Sequence, residues 1–277
     1  MSLAVFADEV RTYPFTEWYF TGDSESCENK NPMNTKAIRE LKKSLVLTKR
    51  QQEIIVGTLL GDGHLETQDK GETYRLKIEH CGAQNEYLVW LYRELKSWIP
   101  STPYTKVKNG KVYVGVRTYS HEAFRSFGRI FYQEGKKIIP TVVEKLFTPL
   151  SLAIWFMDDG SLKSTRHQTY VIHTLGYGRD ELEGIQSILK NKFDLQTSLH
   201  KQKGKYWRLY IQSQSAKKFK ELIKPHILPS MKYKLGNTLP STQSGILSYH
   251  MSMRSTDTSS VSVSCLSPDY LWRKISE

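Results

Sequence analysis

Two Asp-Gly pairs, Asp62-Gly63 and Asp159-Gly160, each close an almost wholly apolar stretch: residues 54–61 in one case, the run ending Phe156-Met157 in the other. An apolar segment with so little polar face belongs inside a protein. An ionised carboxylate there costs several kcal/mol unless a cation or hydrogen-bond donors compensate it. At a helix C-terminus it also meets the negative end of the dipole, an unfavourable placement by about 0.3–1 kcal/mol. Two such carboxylates brought together suit a divalent cation held through oxygen, Mg²⁺ with Mn²⁺ as its substitute. That chemistry activates water and stabilises the leaving oxygen in phosphodiester hydrolysis. Either pair alone reads equally well as an ordinary turn; the duplication favours the site. Asp158 matches Gly61 in the other copy, so Gly61 and Asp158 are expected at the edge of the metal site, with Asp62 and Asp159 as its ligands.

The elements that must position these residues also repeat. Leu59-Leu60-Gly61-Asp62-Gly63-His64-Leu65 is followed by Thr73-Tyr74, and Phe156-Met157-Asp158-Asp159-Gly160-Ser161-Leu162 by Thr169-Tyr170; Asp to Tyr spans 12 residues in the first copy (74 − 62) and 11 in the second (170 − 159). The copies lie 97 residues apart (159 − 62), the spacing of domain halves rather than of a solenoid. Each opens with an apolar helix, about 50–61 and 149–158. Gly57 and Gly61 leave one side of the first helix bare for a partner to approach. Alternating strands follow, with a type I′ hairpin at Asn109-Gly110 between Tyr104–Lys108 and 111–118, and a corresponding turn at Gly204 between 197–203 and 205–212. Amphipathic helices fill roughly 84–98, 120–132, 180–192 and 215–224. The order is αββαββα twice: an α+β fold with two antiparallel sheets. The divisions are an extension and lead-in over 1–48, a first half over 49–140, a second over 141–240 and a Ser/Thr-rich tail over 241–277.

Period two gives each strand a core face and an open face. Leu76 and Ile78 turn inward while Arg75, Lys77 and Glu79 turn outward; Val112, Val114 and Val116 oppose Lys111, Tyr113 and Arg117; Trp207, Leu209 and Ile211 oppose Tyr206, Arg208, Tyr210 and Gln212. A solvated sheet alternates in the same way. The chain, however, carries 40 Lys and Arg against 28 Asp and Glu, a net charge of +12 in 277 residues. Such an excess favours a polyanion, because each neutralised phosphate releases condensed counterions. A β-ribbon fits the DNA major groove, where Arg, Lys and Gln read base edges. The expected nucleic-acid face adds Lys106, Lys108, Lys163, Arg166, His173, Lys201 and Lys203 to the outward residues.

Three cysteines, Cys27, Cys81 and Cys265, without a CxxC pair, argue against a disulfide framework or zinc site and for a reducing, intracellular compartment. No apolar run approaches the ~18 residues that span a bilayer, and no targeting segment is recognisable at the N-terminus. Residues 1–32 read as a loosely ordered extension, and 241–267 as a mobile tail.

At the doubled motif the chain resembles the LAGLIDADG homing endonucleases, whose name-giving motif corresponds to residues 55–63 and 152–160. The likeness runs over roughly 44–240 and is greatest with the double-motif, monomeric type of yeast mitochondrial large-rRNA introns. It is strongest in 146–160 and from Ile223-Lys224-Pro225 through Lys234-Leu235-Gly236-Asn237-Thr238. The resemblance implies an intron- or mobile-element-encoded monomer that cuts both strands of a long asymmetric double-stranded DNA site across the minor groove, leaving short 3′ overhangs. Asp62 and Asp159 occupy the family's metal-ligand positions, and Lys137 and Lys234 those of its active-site lysines, which stabilise phosphate charge or orient water. Ile154 and Trp155 replace the small residue and Leu of the idealised motif, which implies asymmetric helix packing. Lys77 and His173 stand at matching repeat positions where a polar contact to water or DNA is expected. Two other readings stay open: an RNA maturase acting on intron RNA, and a regulator using the same scaffold as a binding module.

Overall fold

A computed structural model describes residues 35–164 and 169–236. The expected extension and tail, together with Arg166, lie outside the described residues. The chain divides into a unit ending at Glu40 and one running from Leu41, and the second contains both repeats.

Thr48 starts the first motif helix. Its side chain accepts the Gln51 N–H at 3.2 Å, and Gln51 Oε1 accepts the Thr48 N–H at 3.2 Å. This capping box opens α2 (Lys49–Leu60), preceded by α1 (Lys36–Ser44). The second motif helix, α6 (Pro149–Asp159), uses Thr148 as its cap and Pro149 in its first turn, where a missing N–H costs nothing. Burial drives the rest: Ile54 through Leu60 in α2 and Leu150 through Asp158 in α6 are all buried. The two helices cross closely because Gly57 faces Ile154; a Cβ on Gly57 would lie 2.7 Å from Ile154 Cβ and 2.8 Å from the Ser151 carbonyl oxygen. Ser151 Oγ donates to the Glu53 carbonyl at 2.9 Å across the same junction. The asymmetry expected from Ile154 is thus met by the glycine opposite it, while Trp155 packs against Phe147.

The first sheet runs β1-β2-β4-β3, from β1 (His64–Glu66), β2 (Arg75–Cys81), β3 (Tyr104–Lys108) and β4 (Lys111–Arg117). The second repeats it as β7-β8-β10-β9, from β7 (Gly160–Ser164), β8 (Thr169–Ile172), β9 (Thr197–Gln202) and β10 (Tyr206–Ile211). Both β-hairpin tips use positive φ, Asn109 and Gly110 at 51° and 69° in a two-residue type I′ loop, and Lys203 and Gly204 at 50° and 68° in a loop of three residues, 203–205. The helices α3 (Asn85–Glu94), α7 (Arg179–Phe193) and α8 (Ser213–Ile223) pack against the sheets, and α4 (Arg125–Phe131) adds Phe127 and Phe131 to the core. A two-residue pair, β5 (Tyr132–Gln133) and β6 (Lys136–Lys137), and the short α5 (Val143–Leu146) have no signature in the sequence pattern. One continuous core joins residues of both repeats.

Strand register corrects part of the sequence repeat. His64 pairs with Lys77, and Ser161 with Val171. His64 and Ser161 each follow the motif Asp by two, so the structural counterpart of Lys77 is Val171, and His173 corresponds to Glu79. Likewise Leu65 faces Leu76 and Leu162 faces Tyr170, so Tyr170 matches Leu76; Tyr74 precedes β2 and bridges His121. The Thr-Tyr likeness is therefore out of register. The first copy has a longer β1–β2 connection, and the buried side chains, not the Tyr, set which residues align. Of the three cysteines, Cys27 and Cys265 lie outside the described residues.

Gly57→Ala forces a methyl against Ile154 and the Ser151 carbonyl and is expected to destabilise the protein by about 1–3 kcal/mol. Thermal unfolding checks this; an unchanged Tm would mean the helices are not in contact there.

Candidate active site and nucleic-acid face

The tips of α2 and α6 meet with their carbonyls capped by lysine. Lys137, placed by β6, donates to the Gly61 carbonyl at 2.6 Å and to that of Gly63 at 3.1 Å. Lys234, in a 3₁₀ turn over Pro229–Leu235, donates to the Met157 carbonyl at 2.5 Å and to the Asp158 carbonyl at 3.2 Å. Gly61 and Asp158 are register mates, so each lysine caps its own motif helix at the equivalent place. This is a favourable position for a cation at a helix C-terminus. An ammonium has three donors, so two hydrogen bonds leave each lysine one more. Tyr177 adds a further cap, donating to the Leu60 carbonyl at 2.9 Å from the other repeat.

Three carboxylates cluster beyond these caps. Asp62 has a side chain 40% exposed, the open one of the three, whereas that of Asp158 is fully buried. Asp158 accepts the Tyr87 hydroxyl at 2.8 Å and the Asp62 N–H at 3.1 Å. His80 is fully buried between the two, Nδ1 3.3 Å from Asp62 Oδ2 and Nε2 3.9 Å from Asp158 Oδ1. Burial opposes charge on its ring, but the adjoining carboxylates prevail and raise its pKa. Asp62 is partly desolvated, yet His80 with Lys137 and Lys234 holds its carboxyl below the usual range. Burial and then the charge of Asp62 push Asp158 up to about 7. Burial, Asp62 and Asp158 raise Asp159 well above the ordinary value, against the pull of both lysines. Burial lowers both lysine pKa values.

The charges of Asp62 and Asp158 thus disfavour an ionised Asp159, and the carboxylate oxygens at the two tips suit a hard divalent cation that would relieve that repulsion. Asp62, His80 and Asp158 also offer three ligand atoms within 4.8 Å of one another. Sequence reasoning missed His80 and Tyr87. His80 continues the inward series Leu76, Ile78 along β2, and a histidine at a core position was the available signal.

The outward residues expected on the first sheet do share one side of it. Strand pairing puts Lys77 opposite Arg117, Glu79 opposite Gly115, Tyr113 opposite Lys106 and Lys108 opposite Lys111. With Arg75, which pairs with Glu66, they share one side. Glu79 binds Lys77 at 2.8 Å and also contacts Lys106, which takes its pKa down to about 2. Arg117 lies over the Tyr104 ring at 4.6 Å. In the second sheet Lys163 lies over the Tyr210 ring at 4.4 Å, and His173 lies 3.1 Å from Ser161 Oγ. Lys201 departs from expectation: it pairs with Trp207, on the side of Leu209 and Ile211 rather than that of Arg208 and Tyr210. His200, opposite Arg208, and Gln202, opposite Tyr206, take the open face instead. Lys203 sits in the hairpin turn. Counting cations near a hairpin does not fix their parity, which is why the sequence misplaces Lys201.

Two repeated αββαββα halves, a shared junction of acidic helix tips and two polar sheet faces define a double-motif, single-chain nucleic-acid scaffold. The family model described as LAGLIDADG DNA endonuclease matches residues 52–219, and the chain belongs to that family. It is 33% identical over 73% of its length to a probable intron-encoded endonuclease of Wickerhamomyces canadensis, covering 91% of that protein. It is 31% identical to the cytochrome b mRNA maturase bI2 of Debaryomyces hansenii, over 69% of this chain and 75% of the relative. Among solved structures, the homing endonuclease I-WcaI bound to its DNA recognition sequence matches with a TM-score of 0.67 and 30% identity, over 73% of this chain and 93% of that one. No helix of the described residues is long and apolar enough to cross a membrane.

The raised Asp158 and Asp159 give a testable sign. Asp158 binds a proton in the folded protein between its ordinary 3.8 and about 7 that the unfolded chain releases. Its contribution therefore makes the metal-free fold less stable as pH rises through that window, and a cation that binds the ionised carboxylates offsets the loss. Mg²⁺ should raise Tm more at pH about 8 than at about 5.5, whereas a pH-independent site gives equal shifts. Calorimetry at the two pH values decides it.

Proposed function

We propose that the chain is a site-specific, divalent-metal-dependent DNA endonuclease that cuts both strands of a long asymmetric site and so promotes homing of an intron or mobile element. The juncture of Asp62 and Asp159 at the tips of α2 and α6 carries this reading. Asp62 and Asp159 hold Mg²⁺, with Mn²⁺ as a substitute; when bound, the cation supplies activated water and charge for the leaving oxygen. Lys137 and Lys234 fix the helix tips through the carbonyls they cap and keep one donor each for a phosphate oxygen. Gly61 leaves room beside Asp62. Arg75, Lys77, Glu79, Lys106, Lys108, Lys111, Tyr113, Arg117, Lys163, His173, Arg208 and Tyr210 form the DNA face, the cations holding phosphates and the amphipathic groups reading base edges.

The net charge of +12 supports a polyanionic partner, and the family supports DNA as that partner. A single chain carries both halves, so the protein acts as a monomer, inside the cell or an organelle where the DNA lies. The maturase names of relatives favour a second reading, assistance to intron RNA splicing. That activity needs the scaffold's surface rather than its carboxylates, so one variant separates the two.

Asp159→Asn is expected to lower Mg²⁺-dependent cleavage at least about 100-fold while leaving specific binding within about twofold. Gel-shift and cleavage assays on the same duplex check this, and normal cutting by the variant would end the assignment. Lys108→Ala or Arg117→Ala should weaken DNA binding and reduce the salt slope by about 1 for a phosphate contact. An unchanged slope in both would take that hairpin off the DNA.

A further inference from the structure

The two carboxylate mounts are unlike, although the repeat makes them look equivalent. Helix α6 runs through Asp158 and Asp159, so Asp159 stands on helical backbone. Helix α2 stops at Leu60, and Gly61 leaves it at φ −102° and ψ −129°, so Asp62 stands two residues beyond the last helical one. What replaces the missing helix is a side chain from the other repeat. Asp158 Oδ2 accepts the Asp62 N–H at 3.1 Å, and its Oδ1 accepts the Tyr87 hydroxyl at 2.8 Å. Tyr87 is fully buried on α3, its ring 4.9 Å from that of His80 and stacked at 6.1 Å on Trp90, so the hydroxyl has little freedom. The bare Gly61 makes this contact sterically available: a Cβ there would lie 2.3 Å from Asp158 Oδ2. No reciprocal brace is available, because Gly61, the register mate of Asp158, has no side chain to receive the Asp159 N–H.

We infer that Asp158 and Tyr87 are positioning residues that brace Asp62 across the repeat junction, and that this one-sided brace makes the two strand cuts depend on it unequally. The inference rests on the nuclease reading and adds the roles of two residues. Phosphoryl transfer is sensitive to sub-ångström placement of its ligands, so a loosened Asp62 mount slows the cut that depends most on it. The other cut, served by the helical Asp159 mount, changes less.

The test uses the full chain and the duplex that the wild type selects from a randomised plasmid library, each strand labelled separately, with the two nicking rates measured across Mg²⁺ concentrations. Tyr87→Phe removes only the hydroxyl and is expected to change the ratio of the two rates by about fivefold, with DNA Kd held within about twofold. Asp158→Ala should shift the ratio in the same direction and further. Asp158→Asn keeps an acceptor for the Asp62 N–H and should return the ratio toward the wild-type value. Equal slowing of both strands, or a lowered Tm with an unchanged ratio, assigns Tyr87 a merely structural role and overturns the inference. So does equal loss in Asp158→Asn and Asp158→Ala, because charge rather than bracing would then explain it. A wild type that cuts while no variant alters the ratio sinks the inference alone; a wild type that cuts neither strand sinks the nuclease reading and the inference with it.

Discussion

The close crossing of α2 and α6 is the contact on which the rest depends. Gly57 lets Ile154 and the Ser151 carbonyl approach to a distance that any side chain would forbid. That approach sets where both helix tips end, and therefore where Asp62 and Asp159 lie. Interiors are close-packed, so a displacement at the crossing is transmitted rather than absorbed. The sheets extend from these tips, since β1 and β7 begin within two residues of the motif aspartates. The spacing of the two polar faces is thus also a property of the helix pair.

Electrostatics then oppose packing at the same place. Three carboxylates are gathered where burial disfavours charge, and two lysines and a histidine answer only part of it. The lysines are engaged largely with helix carbonyls, which steadies the tips and leaves the acidic repulsion in place. A site that stores repulsion in this way gains most from a cation. Strain of this kind is tolerated because a large shared core surrounds it, including Trp155, Phe147, Tyr87 and Phe156 at or near complete burial.

The open sheet faces are arranged differently. Cations are held ready by neighbours rather than left free: Lys77 and Lys106 on Glu79, Arg117 over Tyr104, Lys163 over Tyr210. Pairs that still reach solvent, such as Lys106 on Glu79, contribute little to stability. Their effect is to order long side chains before a partner arrives, which lowers the entropy lost on binding.

The doubled Asp-Gly motif, the αββαββα order and both hairpin turns were legible in the sequence, because apolar helix runs, period-two alternation and turn chemistry are local properties. The face of the first sheet followed for the same reason. The equivalence of Lys77 with His173 did not hold, since register is set by which side chains the core accepts, and a longer β1–β2 connection moved Tyr74 off Tyr170. Lys201 was misplaced because its parity depends on Trp207, a partner on another strand. His80 and Tyr87 lie 18 and 25 residues beyond Asp62 in the chain (80 − 62 and 87 − 62), and only folding brings them to Asp158. The sequence by itself determined which acidic residues are paired by duplication. The tertiary structure decided how each is held, because hydrogen bonds across the repeat junction join residues with no fixed spacing along the chain.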